Sequence, residues 1–151
     1  MSRQDDSEMK DDIIYLLFIA LKEDKAAKTA AEKAVLDEIM HRSGFARSER
    51  NQYYRMMSAW RKNFKISEDK IAVYISRLKD ETDRYVDMTV GGGHRESYDR
   101  AALRVVMLGE VLEDNGMENG LSEIIEGYRK TYWRKHAFTG ELSEAAKKSE
   151  V

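Results

Sequence analysis

Residues 101–125 read "AALRVVMLGEVLEDNGMENGLSEII", and this stretch decides the fold. Its first part, through Leu112, is apolar on nearly every side, as is typical of a helix buried at the centre of a bundle. The acidic pair Glu113-Asp114 follows, and apolar residues at helical spacing resume at Leu121. The stretch therefore predicts a helical hairpin: a buried helix, an acidic elbow and an amphipathic helix.

A similar unit occurs earlier, where residues 13–39 read "IIYLLFIALKEDKAAKTAAEKAVLDEI". "TAAE", Thr29 to Glu32, has the pattern of a capping box, in which a threonine caps a helix and a glutamate three residues later bonds back. When Asp24 is placed on Asp114, the apolar positions of both hairpins coincide, provided that the second elbow is shortened by one residue. The alignment predicts an internal repeat. We call residues 23–29 the first elbow and residues 113–120 the second elbow.

The rest of the chain predicts further helices and one break. The first helix is expected from Ser7 to Asp24, with its apolar run, residues 13–21, buried at the centre of the bundle against residues 101–112. Two helices between the hairpins are expected over residues 46–64 and 68–88. The last long helix should run from about Leu121 through "YRKTYWRK", with a short helix or frayed tail over residues 140–151. Gly91–Gly93 predicts a mobile hinge between two halves, and not a phosphate loop. We expect a compact all-α bundle of six to seven helices, in one domain over residues 1–151.

Composition narrows the class of protein. The chain has 151 residues, no proline and no cysteine, so it has neither a disulfide framework nor a thiolate metal site. Its net charge of −2 provides no long-range attraction for nucleic acid. The longest apolar run, residues 13–21, is too short to cross a bilayer, which needs about 20 residues. The acidic N-terminus is unlike a secretory signal, and we expect a cytoplasmic protein.

The two acidic elbows carry a resemblance to a known family. "FIALKEDKAAKTAAEKAVLDEIMHRSGF" and "VVMLGEVLEDNGMENGLSEIIEGY" resemble the repeated hairpins of the tellurite-resistance TerB-like family, which includes the N-terminal domain of a DnaJ-type co-chaperone. Family members end the first helix of each hairpin in Ala-Asp-Gly, whereas here Lys25 follows Asp24 and Asn115 follows Asp114. The resemblance implies a single helical domain with a role in stress resistance, divalent-metal binding through the acidic loops and work within membrane-associated protein complexes.

The metal role that the resemblance implies would fall on oxygen donors in the elbows. Ca²⁺ accepts six to eight oxygen ligands in irregular geometry. The candidate ligands are Asp24, Glu32, Glu113, Asp114 and Glu118, with Glu23 and Glu110 close to them in sequence. We expect the first elbow to be the weaker site, because Lys25 lacks the freedom of glycine and its ammonium competes with a cation. The residues by themselves favour the alternative, in which Glu32 belongs to a cap and the others are solvated charges.

A second candidate surface is basic and aromatic. Residues 47–65 and the stretch "YRKTYWRKH" interleave cations with aromatic rings, a pattern that can bind single-stranded nucleic acid. The candidate residues are Arg50, Arg55, Arg61, Lys62, Arg129 and Arg134. In the alternative, the rings face the core and the basic stems cover it. Nucleic acid is the less favoured partner, and a protein partner is expected.

No constellation of residues predicts catalysis. The Glu38-x-x-His41 spacing occurs in diiron helices, but such a site needs a second copy that this sequence lacks. No serine lies in a nucleophile elbow. The sequence therefore predicts a non-enzymatic, stress-associated TerB-like binding module, with a nucleic-acid- or protein-binding adaptor as the alternative.

Overall fold

The all-α prediction is confirmed. The computed structural model describes residues 10–24 and 28–150, and within them the chain forms seven α-helices and no strand. The helices are α1 (Asp11–Ala20), α2 (Ala30–Arg42), α3 (Arg50–Asn63), α4 (Glu68–Val86), α5 (Tyr98–Asp114), α6 (Gly120–Thr131) and α7 (His136–Lys147). None of these helices is both long enough and apolar enough to span a membrane.

Helix α5 is the centre of the molecule, as its apolar sequence predicts. Every residue from 101 to 112 except Leu103 is buried. Helices α4, α6 and α7 pack around it. Gly109 permits a close crossing with α6, because a Cβ at this position would lie 2.7 Å from the Cα of Leu121. The second hairpin is therefore held tightly at the start of α6.

Helix α1 is less central than the sequence predicts. It packs mainly on α2 and α4 and has a smaller contact with α5. Ile13 is 48% exposed, and Leu16 and Leu17 are only half-buried. The expectation that both apolar runs are central is thus wrong for the first one, because α5 is already largely covered by its other neighbours. The predicted helix start at Ser7 lies outside the described residues.

The glycine linker follows α4 through a π-helical turn, Asp87–Gly91. Thr89 and Val90 are buried, and the exposed linker begins at Gly91. Gly93 has a φ of +73°, which favours glycine. The chain then passes through a short 3₁₀ turn, Arg95–Ser97, into α5.

The prediction for the end of the chain is wrong in one respect. Helix α6 does not continue through the basic stretch but ends at Thr131, and a separate helix α7 begins at His136. This turn lets the ring of Phe138, which is fully buried, pack edge-on against Tyr98 and Tyr132. Residues 140–147 belong to α7, so the short helix forms and this part of the chain is not frayed.

Candidate functional site

The two elbows lie side by side, as a pair of similar hairpins predicts. The backbone N–H of Glu23 donates to Oδ2 of Asp114 at 3.0 Å. Nδ2 of Asn115 donates to the carbonyl of Leu21 at 2.9 Å. The aspartates do not occupy equivalent helix positions, however, because Asp114 is the last residue of α5 whereas Asp24 lies beyond the end of α1. The elbows converge without matching residue by residue.

The ammonium of Lys22 lies where the carboxylates of both elbows meet. Its side chain is 3% exposed. Nζ contacts Glu110 directly and lies 3.5 Å from Glu32 and 3.6 Å from Asp114. Three carboxylates from two hairpins thus share one buried cation.

Arg61, on α3, supplies a second cation. Its Nη2 lies 3.2 Å from Glu32, and its Nη1 donates to the carbonyl of Glu23 at 3.1 Å and lies 3.4 Å from Asp24. Lys28 adds contacts of 3.3 Å to Asp24 and 3.5 Å to Glu32. We call these residues the elbow cluster. Its members are the carboxylates Asp24, Glu32, Glu110 and Asp114 and the cations Lys22, Lys28 and Arg61.

Glu110 connects the cluster to both ends of the fold. The hydroxyl of Thr29 donates to its two oxygens at 2.9 and 3.0 Å, and the hydroxyl of Ser149 donates to it as well. The N–H of Ala31 donates to the carbonyl of Lys148 at 3.0 Å. The carboxylate of Glu110 therefore links α5 to the first elbow and to the segment after α7.

The predicted capping box forms only in part. The hydroxyl of Thr29 accepts from the backbone N–H of Glu32 at 3.1 Å, which confirms the cap. The Glu32 side chain does not bond back to the cap but lies between Lys22 and Arg61. Glu32 remains in the first turn of α2, where the helix dipole favours a carboxylate, and the two cations supply the partners that its buried charge needs.

The pKa of Asp24 is lowered by its position in the cluster. Burial acts in the opposite direction, but the hydroxyl of Ser58, which donates at 3.0 Å, and the ammonium of Lys28 outweigh it. Asp24 is therefore held as a carboxylate. Lys25, the next residue in the chain, lies outside the described residues. The expectation that its ammonium competes with a bound metal ion therefore stays a prediction.

Two predicted ligands do not join the cluster. Oε2 of Glu113 accepts from the backbone N–H of Leu121 at 3.1 Å and so caps the start of α6. Glu118 is exposed on the second elbow. Glu110 takes their place beside Asp114. Sequence reasoning also missed Lys22, although its spacing from Ile14 and Phe18 at four-residue steps places it on the buried side of the first hairpin.

The elbow carboxylates do not fit a divalent metal ion in this arrangement. The Lys22 ammonium lies among Glu32, Glu110 and Asp114, at the point where such an ion would bind. Within residues 10–24 and 28–150, no group of three or more metal-ligand side chains is arranged to hold an ion. Each carboxylate of the cluster is instead paired with at least one of the chain's own cations.

The predicted basic residues do not form one strip. Arg50 lies 3.2 Å from Asp37, Arg61 is buried in the elbow cluster, and Arg129 lies 3.1 Å from Glu126. The remaining candidates are Arg55 and Lys62, which are exposed on α3, and Arg134, which lies over the ring of Trp133. In the first basic stretch, Arg50 and Arg61 are thus in ion pairs within the fold, and the exposed cations do not form a continuous strip.

A pocket of about 320 Å³ opens beside the elbow cluster. We call it the elbow pocket. It is lined by the end of α1 and the residues that follow it, the C-terminal end of α3, the segment between α3 and α4, the first turn of α4 and Asn115 of the second elbow. The side chains used below are Leu21, Arg61, Lys62, Phe64, Lys65, Ile66 and Ile71. The ring of Phe64 stacks on Trp60 with centroids 4.9 Å apart and is still 44% exposed. The pocket combines apolar walls with a basic rim.

Comparison of the chain with protein-family models, with curated proteins and with solved structures finds no match. The resemblance to the TerB-like family therefore stays a prediction from the two elbows.

Proposed function

We propose that this chain is a non-enzymatic binding module that holds an acidic, apolar segment of a partner protein in the elbow pocket. The observation that carries the proposal is a pair of exposed lysines, Lys62 and Lys65, at the rim of an apolar pocket. In the described part of the chain neither lysine forms an ion pair.

The pocket supplies an apolar anchor point. Phe64, Ile66 and Ile71 are exposed or only partly buried around it, while Leu21 is buried in its wall. A partner side chain inserted there would remove apolar surface from water at roughly 25 cal/mol per Å². Aromatic and aliphatic anchors of this kind provide most of the affinity of protein interfaces.

Charge then selects the partner. Asp24 also lines the pocket, but its carboxylate is already engaged by Ser58, Lys28 and Arg61. The free charges at the rim are therefore positive, and an acidic residue beside the partner's anchor would complement them. Complementary rim charges raise the association rate and select among partners more than they raise affinity.

The stress-resistance role and the membrane-associated complex rest on the TerB-like resemblance and remain predictions of that resemblance. The proposal differs from the family pattern on the metal. Lys22 and Arg61 fulfil, within the chain, the neutralising role that a cation has in the acidic loops of the family.

Selection of peptides from a random phage library on the immobilised protein tests the proposal. Enriched peptides should combine an aliphatic or aromatic residue with neighbouring Asp or Glu. A fluorescein-labelled peptide from the selection should then lose about tenfold or more in affinity for the Lys62→Glu/Lys65→Glu variant, since two attractive charges become repulsive.

The matched control reverses two exposed lysines elsewhere, Lys79→Glu on α4 and Lys130→Glu on α6. It should leave the affinity within about twofold, as expected for charges outside the contact. Enrichment of peptides without acidic residues, or equal affinities for both double variants, would show that the elbow pocket is not the site. Tighter binding of single-stranded oligonucleotide than of any peptide would favour the nucleic-acid alternative.

A further inference from the structure

A second pocket lies between the glycine linker and the start of α7. Its volume is about 470 Å³, and its lining includes Gly93, Arg95, Arg134, Lys135 and His136. We call it the basic pocket. No Asp or Glu is among the side chains that line it. Three permanent cations and a histidine thus face one cavity, a pattern that attracts anions.

The start of α7 adds backbone donors to these side chains. Helix α7 has 12 residues, and no side chain in the described chain caps its N-terminus. The amides of Phe138 and Thr139 donate to the carbonyl of Lys135, whereas those of His136 and Ala137 donate to no backbone carbonyl within the described residues. Free amides at a helix N-terminus bind anions, because the helix dipole concentrates positive potential there.

The pocket is held in shape by packed aromatic rings. Tyr98, which lines the pocket, is 3% exposed and packs edge-on against the buried Phe138, at a centroid distance of 5.9 Å. Phe138 also meets Tyr132 at 5.7 Å. These contacts fix the first turn of α7 relative to the start of α5, so its backbone amides need little rearrangement to meet a ligand.

The acidic residue nearest in sequence does not cancel the positive charge of the pocket. Glu96 lies close in sequence, but its carboxylate is 3.7 Å from Nδ1 of His94, and it does not line the cavity. The guanidinium of Arg134 lies 4.8 Å from the centre of the Trp133 ring, and it forms no ion pair with a carboxylate within the described residues. Trp133 itself is 61% exposed.

We propose that the basic pocket binds the phosphate group of a small phosphorylated molecule. A phosphate has several acceptor oxygens, which match the planar donors of Arg95 and Arg134, the ammonium of Lys135 and the free amides of α7. Charge-assisted bonds of this kind are about twice as strong as neutral ones. The basic pocket shares no lining residue with the elbow pocket, so this proposal and the proposed function can be tested independently.

Isothermal titration calorimetry at low ionic strength, with inorganic phosphate and with ATP as the probes, tests this proposal. Both should bind, and ATP should bind more tightly because it carries more charge. The Arg134→Glu/Lys135→Glu variant should lose about tenfold or more in affinity, as expected when charged donors are replaced by acids. The Lys79→Glu/Lys130→Glu variant, with the same change in net charge, should stay within about twofold.

A pair of substitutions at His136 isolates the backbone contribution. His136→Ala keeps the amide, whereas His136→Pro removes it at the first helical position, where proline is well tolerated. His136→Pro should therefore bind phosphate more weakly than His136→Ala, although both should melt at similar temperatures. Absence of phosphate and ATP binding would overturn the proposal. So would equal weakening by the two double charge reversals, or equal binding by the two His136 variants.

Discussion

The elbow cluster and the basic pocket gather charge in opposite ways. In the elbow cluster, four carboxylates surround three cations, and the side chains of Lys22, Glu32 and Arg61 are each at most 7% exposed. In the basic pocket, cations face a cavity whose lining includes no acid. The cluster is buried between helices, whereas the pocket opens at the surface between the glycine linker and the start of α7.

This difference separates structural charge from charge that is available to a ligand. A buried ion must be paired, and removal of one partner leaves the other without compensation. An exposed cation is solvated and contributes little to stability, so it can bind a ligand at low cost. We therefore expect changes in the cluster to act on folding and changes in the basic pocket to act on binding.

The largest effect should come from Lys22→Met. This change keeps much of the apolar stem but leaves Glu32, Glu110 and Asp114 without the shared ammonium. We expect the free energy of unfolding to fall by about 3–5 kcal/mol, as for a broken buried ion pair. Urea denaturation measures it. Lys33→Met, at an exposed position of α2, is the control and should change stability by less than about 0.5 kcal/mol. A loss of similar size in both variants would contradict the structural role of Lys22.

A smaller effect should come from Gly109→Ala, which tests whether the second elbow depends on close helix packing. The added Cβ would lie 2.5 Å from Cδ1 and 2.7 Å from Cα of Leu121. We expect a loss of about 1–3 kcal/mol from overpacking. Gly127→Ala on the exposed side of α6 meets no atom within 4 Å and should be stabilising by up to about 1 kcal/mol. A lower melting temperature for Gly109→Ala together with a higher one for Gly127→Ala would support the close packing at Gly109. A lower melting temperature for both variants would not support it.

Acid should weaken the elbow cluster through Asp24. Because the pKa of Asp24 is lower in the folded state, its contribution is present above the unfolded pKa of about 3.9 and is lost as pH falls through the folded value. Stability measured between pH 6 and pH 2 should therefore fall less steeply for Asp24→Asn than for the wild type. Identical slopes would show that Asp24 gains nothing from Ser58 and Lys28.

The smallest effect on stability should come from Arg134→Glu/Lys135→Glu. Both residues are exposed, and neither is in an ion pair within the described chain. We expect a change within about 0.5 kcal/mol in the free energy of unfolding. A loss comparable with that of Lys22→Met would mean that the basic pocket is part of the structural framework, and the contrast between the two regions would fail.

The sequence predicted the parts of this fold that depend on local patterns. The bounds of α5 follow from its apolar run, and the cap at Thr29 follows from a short motif. The end of α6 was missed because Tyr132 and Trp133 continue its apolar and basic pattern. The turn is set instead by the distant contacts of Phe138 with Tyr98 and Tyr132.

The candidate site was predicted only in part, for the same reason. Asp24, Glu32 and Asp114 do meet, because the hairpins place both elbows at one end of the bundle. Their cations could not be read from local sequence: Lys22 and Glu110 are 88 residues apart, and Arg61 reaches Glu32 from α3. From the sequence alone, a lysine in a charged stretch such as Lys22 is expected to be solvated. Its burial follows only from the packing of the helices around it.

The central claim is that the chain's own cations pair with every carboxylate of the elbow cluster, and thermal melting with and without millimolar Ca²⁺ tests it most directly. A ligand that binds the folded state at a hundredfold excess over its dissociation constant adds about 2.7 kcal/mol, which would raise the melting temperature by several degrees. We predict no change in the melting temperature of the wild type. A rise of several degrees that disappears in Asp24→Asn/Asp114→Asn would contradict the claim and assign the elbows to a metal ion.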